Sequence, residues 1–265
     1  MTDSVVRTAS KVPEVTLVFW IIKIAATTLG ETGGDAVSMS MNLGYATSSL
    51  IFIGIFMIAV IAQISARAFH PLLYWLVVIA TTTAGTTMAD FADRSLGIGY
   101  PGGASLLFVL LMGSLAVWYW SAGSISVDTV ATPKIVIFYW VAILFSQTLG
   151  TALGDWMADT NGLGYEGGAL VFAVGLAVIA AAYFFTNISR TLLFWAAFIL
   201  TRPLGATLGD LLDKPLSDGG LAFSRFYATG ILAAIIIACI VLLPQRAGSH
   251  AGKPDPAAAT GGSQS

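Results

Sequence analysis

Residues 20–35 read WIIKIAATTLGETGGD, and the same plan returns three more times along the chain. In each segment an aspartate follows a tryptophan by fifteen residues. One small residue lies directly before the aspartate, and a second lies four residues before the first. The other copies are 75–90 (WLVVIATTTAGTTMAD), 140–155 (WVAILFSQTLGTALGD) and 195–210 (WAAFILTRPLGATLGD). Two residue types at one spacing in four places indicate a single unit that is used four times.

The composition around these segments is that of a membrane protein. Apolar residues make up 57% of the 265 residues and charged residues 10%, against about 25% charged residues in a typical soluble domain. Eight apolar stretches have roughly the 20 residues that a helix needs to cross a bilayer. They cover approximately 13–33, 45–66, 71–92, 101–121, 133–157, 165–186, 190–212 and 220–243.

We therefore predict an all-α polytopic membrane protein with eight transmembrane helices. Each repeat contributes two helices, so the four repeats run parallel to one another, in a pseudo-fourfold or pseudo-twofold bundle with the odd-numbered helices innermost. One membrane domain is expected over 13–243, with repeats at about 13–66, 71–121, 133–186 and 190–243.

The loops and tails predict the orientation. Residues 1–12 and 244–265 are expected to be polar tails, the second of them disordered. Seven basic residues stand on the side of the two termini, in the tails, loops or span ends, against three on the other side. This bias predicts that both termini lie in the cytoplasm.

The small residues and the tryptophans of the repeat both have structural interpretations. Gly30 and Gly34, with their equivalents, form pairs four residues apart that let helix backbones approach closely in lipid. The tryptophans are expected to form an interfacial belt or packing anchors, and a plug that narrows a central path is the alternative. They are Trp20, Trp75, Trp140 and Trp195.

The carboxylates supply the chemistry of the repeat. Asp35, Asp90, Asp155 and Asp210 keep one register against the small-residue pairs, which places them in the bundle interior as candidate metal ligands. A second acid lies three or four residues away in each repeat, on the same helix face if the helix continues. These accessory carboxylates are Glu31, Asp93, Asp159 and Asp213.

Oxygen ligands without histidine or cysteine favour Mg²⁺, Ca²⁺ or Mn²⁺ over Zn²⁺ or copper. The alternative is that the acids are solvated among the lipid headgroups. In that case Asp93 with Arg94, and Asp213 with Lys214, would be simple surface pairs.

Three further polar residues lie inside the predicted spans: Lys23, Gln147 and Arg202. A charge at this depth needs a partner. The nearest acid on the helix of Arg202 is Asp210, about 12 Å along it at 1.5 Å per residue, so partners on neighbouring helices are expected. The two basic residues then either compensate an empty acidic site or act as counter-ions that a substrate displaces.

With this register the chain resembles a bacterial integral membrane family of unknown function, which is built from four tandem repeats with two transmembrane segments and a hallmark tryptophan each. The resemblance implies the eight-helix fold and a location in the inner membrane of a bacterium, but it implies no activity. A looser likeness is to manganese exporter and cation/proton exchanger families, whose paired helices carry Glu-x-Gly-Asp motifs. The nearest string here is 30–35, in which Glu31 precedes Asp35 by four residues rather than two, without the usual basic-hydroxyl continuation.

The expected function is transport of a divalent cation, Mn²⁺ by preference, as export coupled to protons. Two alternatives stay open: a carrier for a small organic or anionic solute that uses Lys23 and Arg202, and a membrane scaffold or sensor without transport. No nucleophile–base pair or cofactor motif is present, so neither an enzyme nor a cofactor is expected. The expected partners are the lipid bilayer and a small ion or solute, with no nucleic acid and no prediction of oligomeric state.

Overall fold

Eight long α-helices form the chain in the computed structural model, which describes residues 11–248 except 67, 96, 98, 128, 129, 131 and 161. The predicted polar tails lie almost wholly outside the described residues. The helices are α1 (Leu17–Asp35), α2 (Gly44–Ser65), α3 (Pro71–Asp90), α4 (Tyr100–Ala122), α5 (Pro133–Asp155), α6 (Gly164–Phe185), α7 (Arg190–Asp213) and α8 (Arg225–Leu242). The prediction of eight helices is confirmed.

Local sequence sets where the odd-numbered helices begin. The hydroxyl of Thr16 accepts a hydrogen bond from the Phe19 N–H at the start of α1, and Ser189 does the same for the Leu192 N–H at the start of α7. Helices α3 and α5 begin with Pro71 and Pro133, where the missing N–H costs nothing. The odd-numbered helices therefore begin three to seven residues before their tryptophans.

Seven of the described helices are long and apolar enough to cross a membrane, which makes the protein a multi-pass membrane protein in contact with lipid. Helix α1 is not one of the seven. It carries Lys23 and Glu31, which are both buried among the other helices. Its polar residues thus face protein and not lipid, as a charged residue in a membrane bundle must.

The odd-numbered helices form a closed inner ring. Helix α1 packs against α3, α3 against α5, α5 against α7, and α7 against α1. The share of buried residues is 67–72% in the spans of α3, α5 and α7, but 11–33% in the spans of the even-numbered helices. The predicted inner position of the odd-numbered helices is therefore confirmed, and their ring has the pseudo-fourfold arrangement, one of the two that the sequence left open. We call its two ends the tryptophan end, where the inner helices begin, and the aspartate end, where they finish.

Each outer helix packs chiefly on the inner helix of the next repeat. Helix α2 lies on α3, α4 on α5, α6 on α7, and α8 returns to α1 and closes the circle. Contacts between the two helices of one repeat are few, as for α7 and α8. The four repeats therefore interlock, and none of them has a core of its own.

Eight aromatic rings pack together at the tryptophan end. The residue before each repeat tryptophan is also aromatic, and its ring contacts the tryptophan of the following repeat. The centroid distances are 5.4 Å for Phe19–Trp75, 5.7 Å for Tyr74–Trp140, 6.4 Å for Tyr139–Trp195 and 5.8 Å for Phe194–Trp20. Trp75, Trp140 and Trp195 are buried, while Trp20 is partly exposed. The tryptophans thus pack within the bundle, and most of them lie away from the lipid-facing belt position.

The repeat glycines bring the inner helices together. A Cβ atom on Gly30 would stand 2.9 Å from the Cβ of Thr82, and one on Gly85 would stand 2.9 Å from the backbone of Gln147. Gly150 and Gly205 make the equivalent approaches to Arg202 and to Thr27. Each glycine therefore faces the residue that stands seven positions after the tryptophan of the next inner helix. This is the close packing that small residues permit in membrane bundles.

Candidate functional site

The inside of the inner ring is built from layers that repeat every four residues. The residues 3, 7, 11 and 15 positions after each tryptophan are buried in all four repeats. From the tryptophan end the layers are Lys23, Val78, Ile143 and Phe198; Thr27, Thr82, Gln147 and Arg202; Glu31, Thr86, Thr151 and Ala206; and Asp35, Asp90, Asp155 and Asp210. Polar side chains therefore form a column inside the ring, and they are most acidic at the aspartate end.

The four predicted aspartates lie inside the bundle. Their exposed fractions are between 1% and 3%. Carboxylate oxygens of Glu31, Asp155 and Asp210 lie within 4.8 Å of one another, and so do those of Asp35, Asp210 and Asp213. The alternative of aspartates solvated among lipid headgroups is wrong for these positions. Asp90 is buried beside this cluster but belongs to neither group of three.

Basic side chains connect the aspartates in pairs. The Lys214 Nζ lies 2.7 Å from an oxygen of Asp35 and 3.1 Å from one of Asp210. The guanidinium of Arg94 lies 3.1 Å from Asp90 and 3.6 Å from Asp155. Both basic residues stand nineteen positions after their tryptophans, in repeats 2 and 4. The charges therefore follow a pseudo-twofold symmetry, although the helices follow a pseudo-fourfold one.

Lys214 is a buried residue of the site. It is 8% exposed, so its interpretation as a surface partner of Asp213 is wrong. Burial lowers the pKa of the Lys214 amine, but the carboxylates of Asp210 and Asp35 beside it raise the pKa well above its ordinary value. The amine therefore stays charged at any physiological pH.

The structure separates two of the four predicted carboxylate pairs. Asp90 and Asp155 end their α-helices, and the following segments, Phe91–Ser95 and Trp156–Thr160, are π-helical. The wider π turn, with bonds from i to i+5, redirects the side chains that follow. Asp93 consequently lies against Gly103 in the first turn of α4.

Asp159 is likewise outside the buried cluster. It is exposed and accepts a hydrogen bond of 2.9 Å from the Tyr100 hydroxyl. Glu31 and Asp35 precede the π segment of their repeat and share the inner face. Helix α7 continues as an α-helix to Asp213, so Asp213 joins Asp210.

Arg202 joins all four inner helices near the middle of the column. Its Nη2 donates to Glu31 Oε2 at 2.8 Å and also to the hydroxyls of Thr86 and Thr151. The expectation of a partner on a neighbouring helix therefore holds for Arg202. Lys23 has a different environment: its Nζ lies 3.5 Å from Gln147 Oε1 and 4.0 Å above the ring of Phe198.

Sequence reasoning missed Arg225 as a residue of the site. Its guanidinium lies 3.2 Å from Asp213 and 3.8 Å from Asp35. Arg225 begins α8, and the other outer helices begin with glycine or tyrosine, so no repeat signal marks it. Lys214 and Arg94 could have been found, because both occupy one register of alternate repeats.

Some carboxylate oxygens remain without a hydrogen-bond partner among the described residues. They include Oδ1 of Asp35 and Oδ1 of Asp213, while Oδ1 of Asp210 has only its ion pair with Lys214. These three residues are one of the groups whose oxygens converge within 4.8 Å. Buried oxygen atoms without partners are costly, and a hard cation is the ligand that they suit.

A model of the family described as Repeat of Unknown Function (DUF347) matches the chain four times, at residues 18–69, 73–124, 138–189 and 193–245. Each match covers most of one inner helix and the whole of the outer helix that follows it. The search of curated proteins and the search of solved structures found no match.

Proposed function

Because the chain belongs to the family built from the Repeat of Unknown Function (DUF347), whose description names no activity, we propose a function from the site: transport of a divalent cation across the membrane. Mn²⁺ is the preferred substrate in this proposal, and it is exported in exchange for protons. The observation that carries the proposal is the buried convergence of Asp35, Asp210 and Asp213, whose oxygens lie within 4.8 Å of one another.

The charge of the cluster fits a divalent cation. Ion pairs among the described residues connect six carboxylates with four basic side chains, so the carboxylates exceed the basic groups by two. The acids are Glu31, Asp35, Asp90, Asp155, Asp210 and Asp213, and the bases are Arg94, Arg202, Lys214 and Arg225. One divalent cation or two protons would neutralise this excess. Exchange of one Mn²⁺ for two protons therefore moves no net charge and leaves the buried cluster neutral at both ends of the cycle.

Lys214 has a defined part in this proposal. Its ammonium group lies between Asp35 and Asp210, where a bound cation would lie. An arriving cation therefore competes with this ammonium group for the oxygens of Asp35 and Asp210. Lys214 thus acts as a tethered competitor that limits affinity and favours release of the substrate. A transporter needs such a limit, because an ion that binds too tightly does not leave.

The polar column supports the two alternative functions, a scaffold or sensor and a solute carrier, less well than it supports cation transport. A scaffold would gain nothing from a surplus of buried carboxylates, because unpaired buried charge destabilises a packed bundle. A carrier that transports its solute with Lys23 and Arg202 would leave the converging oxygens of Asp35, Asp210 and Asp213 without a role in transport.

Transport is tested with the full chain reconstituted in liposomes that contain a fluorescent Mn²⁺ indicator. A pH gradient should drive Mn²⁺ movement, and Asp35→Asn should lower the initial rate about tenfold or more, because a lost charged ligand costs about 1.5–3 kcal/mol. The matched control is Asp218→Asn, which changes an exposed aspartate and should leave the rate within about twofold. Wild-type liposomes that move none of Mn²⁺, Mg²⁺ and Ca²⁺ would contradict the proposal.

Lys214→Met should tighten Mn²⁺ binding to the purified protein. Removal of the tethered ammonium frees the oxygens of Asp35 and Asp210, and we expect Kd to fall about tenfold, the equivalent of about 1.4 kcal/mol. Isothermal titration of the purified protein with Mn²⁺ measures the change, and Lys134→Met, at an exposed lysine of α5, is the control. A Kd that is unchanged or weaker in Lys214→Met would show that the lysine does not compete with the substrate.

A further inference from the structure

A second polar cluster lies in the column, between the aromatic rings of the tryptophan end and the carboxylates. Lys23 on α1, Gln147 on α5 and Arg202 on α7 form it, and all three have an exposed fraction of 0%. The transport proposed above does not use Lys23 or Gln147. The neighbouring residues of the Lys23 layer are apolar: Val78, Ile143 and Phe198.

This cluster is rich in donors that lack acceptors. Gln147 Nε2 and both Nε and Nη1 of Arg202 have no hydrogen-bond partner among the described residues. The ammonium of Lys23 reaches one acceptor in that part of the chain, the Gln147 Oε1, at the long distance of 3.5 Å. The hydroxyl of Thr82, in the same layer as Gln147 and Arg202, also lacks a partner.

The donors of this cluster require a negatively charged acceptor that the described residues do not supply. Lys23 makes no ion pair with a carboxylate within the described residues, and the carboxylate of Glu31 is bound by Arg202 Nη2. A buried ammonium without a counter-ion and a buried amide N–H without an acceptor both cost stability. Ionisable residues in such a position mark a ligand site by default.

Charge and surroundings define the ligand class. When a bound anion holds Lys23 in its charged form, Lys23 and Arg202 carry two positive charges against the one negative charge of Glu31, so the ligand that balances them is a monovalent anion. Aromatic and aliphatic neighbours on the Lys23 side offer no further donors, which disfavours a multivalent, strongly hydrated oxyanion. We propose that Lys23, Gln147 and Arg202 bind one small monovalent anion of the size of chloride. The anion would bind whether or not the carboxylates carry a cation.

The test is thermal unfolding of the purified full chain in detergent, without divalent cations and at constant ionic strength, with chloride replacing gluconate. The wild-type Tm should rise saturably with chloride, by about 5 °C at one hundred times Kd. Lys23→Met removes the amine and keeps the side-chain length. It should raise Tm in gluconate and abolish the response to chloride. The matched control is Lys134→Met, which should respond like the wild type because Lys134 is exposed.

Two results would overturn the proposal: a wild-type Tm that is equal in chloride and gluconate, or a chloride response that survives in Lys23→Met. Gln147→Leu gives an independent measurement if Lys23→Met does not fold, since it keeps both cations. It should weaken chloride binding about tenfold for the loss of one charge-assisted bond, and unchanged binding would also overturn the proposal. These assays contain no transported cation. A negative chloride result would therefore leave the proposal of Mn²⁺ transport standing, and a negative Mn²⁺ result would leave the proposal of an anion site standing.

Discussion

Arg202→Met should lower the free energy of unfolding by about 3–5 kcal/mol, because it leaves the carboxylate of Glu31 buried without its ion-pair partner. The pair is fully enclosed, with side-chain exposures of 0% for Arg202 and 3% for Glu31. The same substitution also removes the donor to Thr86 and Thr151, so contacts among all four inner helices are lost together. Unfolding of the purified chain by heat or denaturant in detergent measures the effect.

The double variant Arg202→Met with Glu31→Gln separates the ion pair from packing. It removes both charges, and we expect it to recover most of the stability lost in Arg202→Met, since a buried pair costs little when both partners are replaced. Arg190→Met changes an exposed arginine at the start of the same helix, whose guanidinium lies 4.2 Å above the ring of Tyr183, and should cost no more than about 1 kcal/mol. If Arg202→Met were as stable as Arg190→Met, the stability of the bundle would not depend on the ion pair between Arg202 and Glu31.

Gly205→Ala should destabilise the bundle by about 1–3 kcal/mol, the usual cost of forcing a methyl group into a packed interior. The added Cβ would stand 2.5 Å from the Cβ of Thr27 and 2.9 Å from its backbone carbonyl carbon. A backbone atom cannot move aside as a side chain can, so α7 and α1 would have to separate. Thermal unfolding in detergent measures the loss, and the aspartates at the end of the same two helices should lose their register with it.

Gly113→Ala is the matched control for this substitution. Gly113 lies within the outer helix α4, and a Cβ there meets no atom within 4 Å. The change should be neutral or stabilise the protein by up to about 1 kcal/mol, because alanine has the higher helix propensity. Equal effects of Gly113→Ala and Gly205→Ala would mean that the inner ring is not closely packed around its glycines.

The fold could be predicted from the sequence because the same spacing of tryptophan, small residues and aspartate occurs four times. The tryptophan, the small-residue pair and the aspartate fix the inner face of α1, α3, α5 and α7, and apolar length fixes the spans. The pairing of each outer helix with the following repeat could not be predicted. Outer helices such as α8 are apolar around their whole circumference, so their sequences do not indicate which inner helix they cover.

The site could be predicted in part for similar reasons. Asp35 and its three equivalents are buried together because the repeat places them on one face. The sequence predicted that Asp93 shares a helix face with Asp90, but the structure separates them. No sequence signal indicates the π turn that begins directly after Asp90. Arg225 was not recognised as a counter-ion because one of its partners, Asp35, lies on α1, far away in the sequence.

The return of α8 to α1 has a consequence for how the protein is made. Helix α1 carries Lys23, Glu31 and Asp35 and has α3, α7 and α8 as its neighbours, and α7 and α8 are synthesised only after α2 to α6. Until α7 and α8 have been synthesised, these charges have no complete protein environment, and a lipid environment would be costly. Helix α1 therefore reaches its final place only after α7 and α8 are available. We expect the insertion machinery, or the half-built bundle, to hold α1 until then.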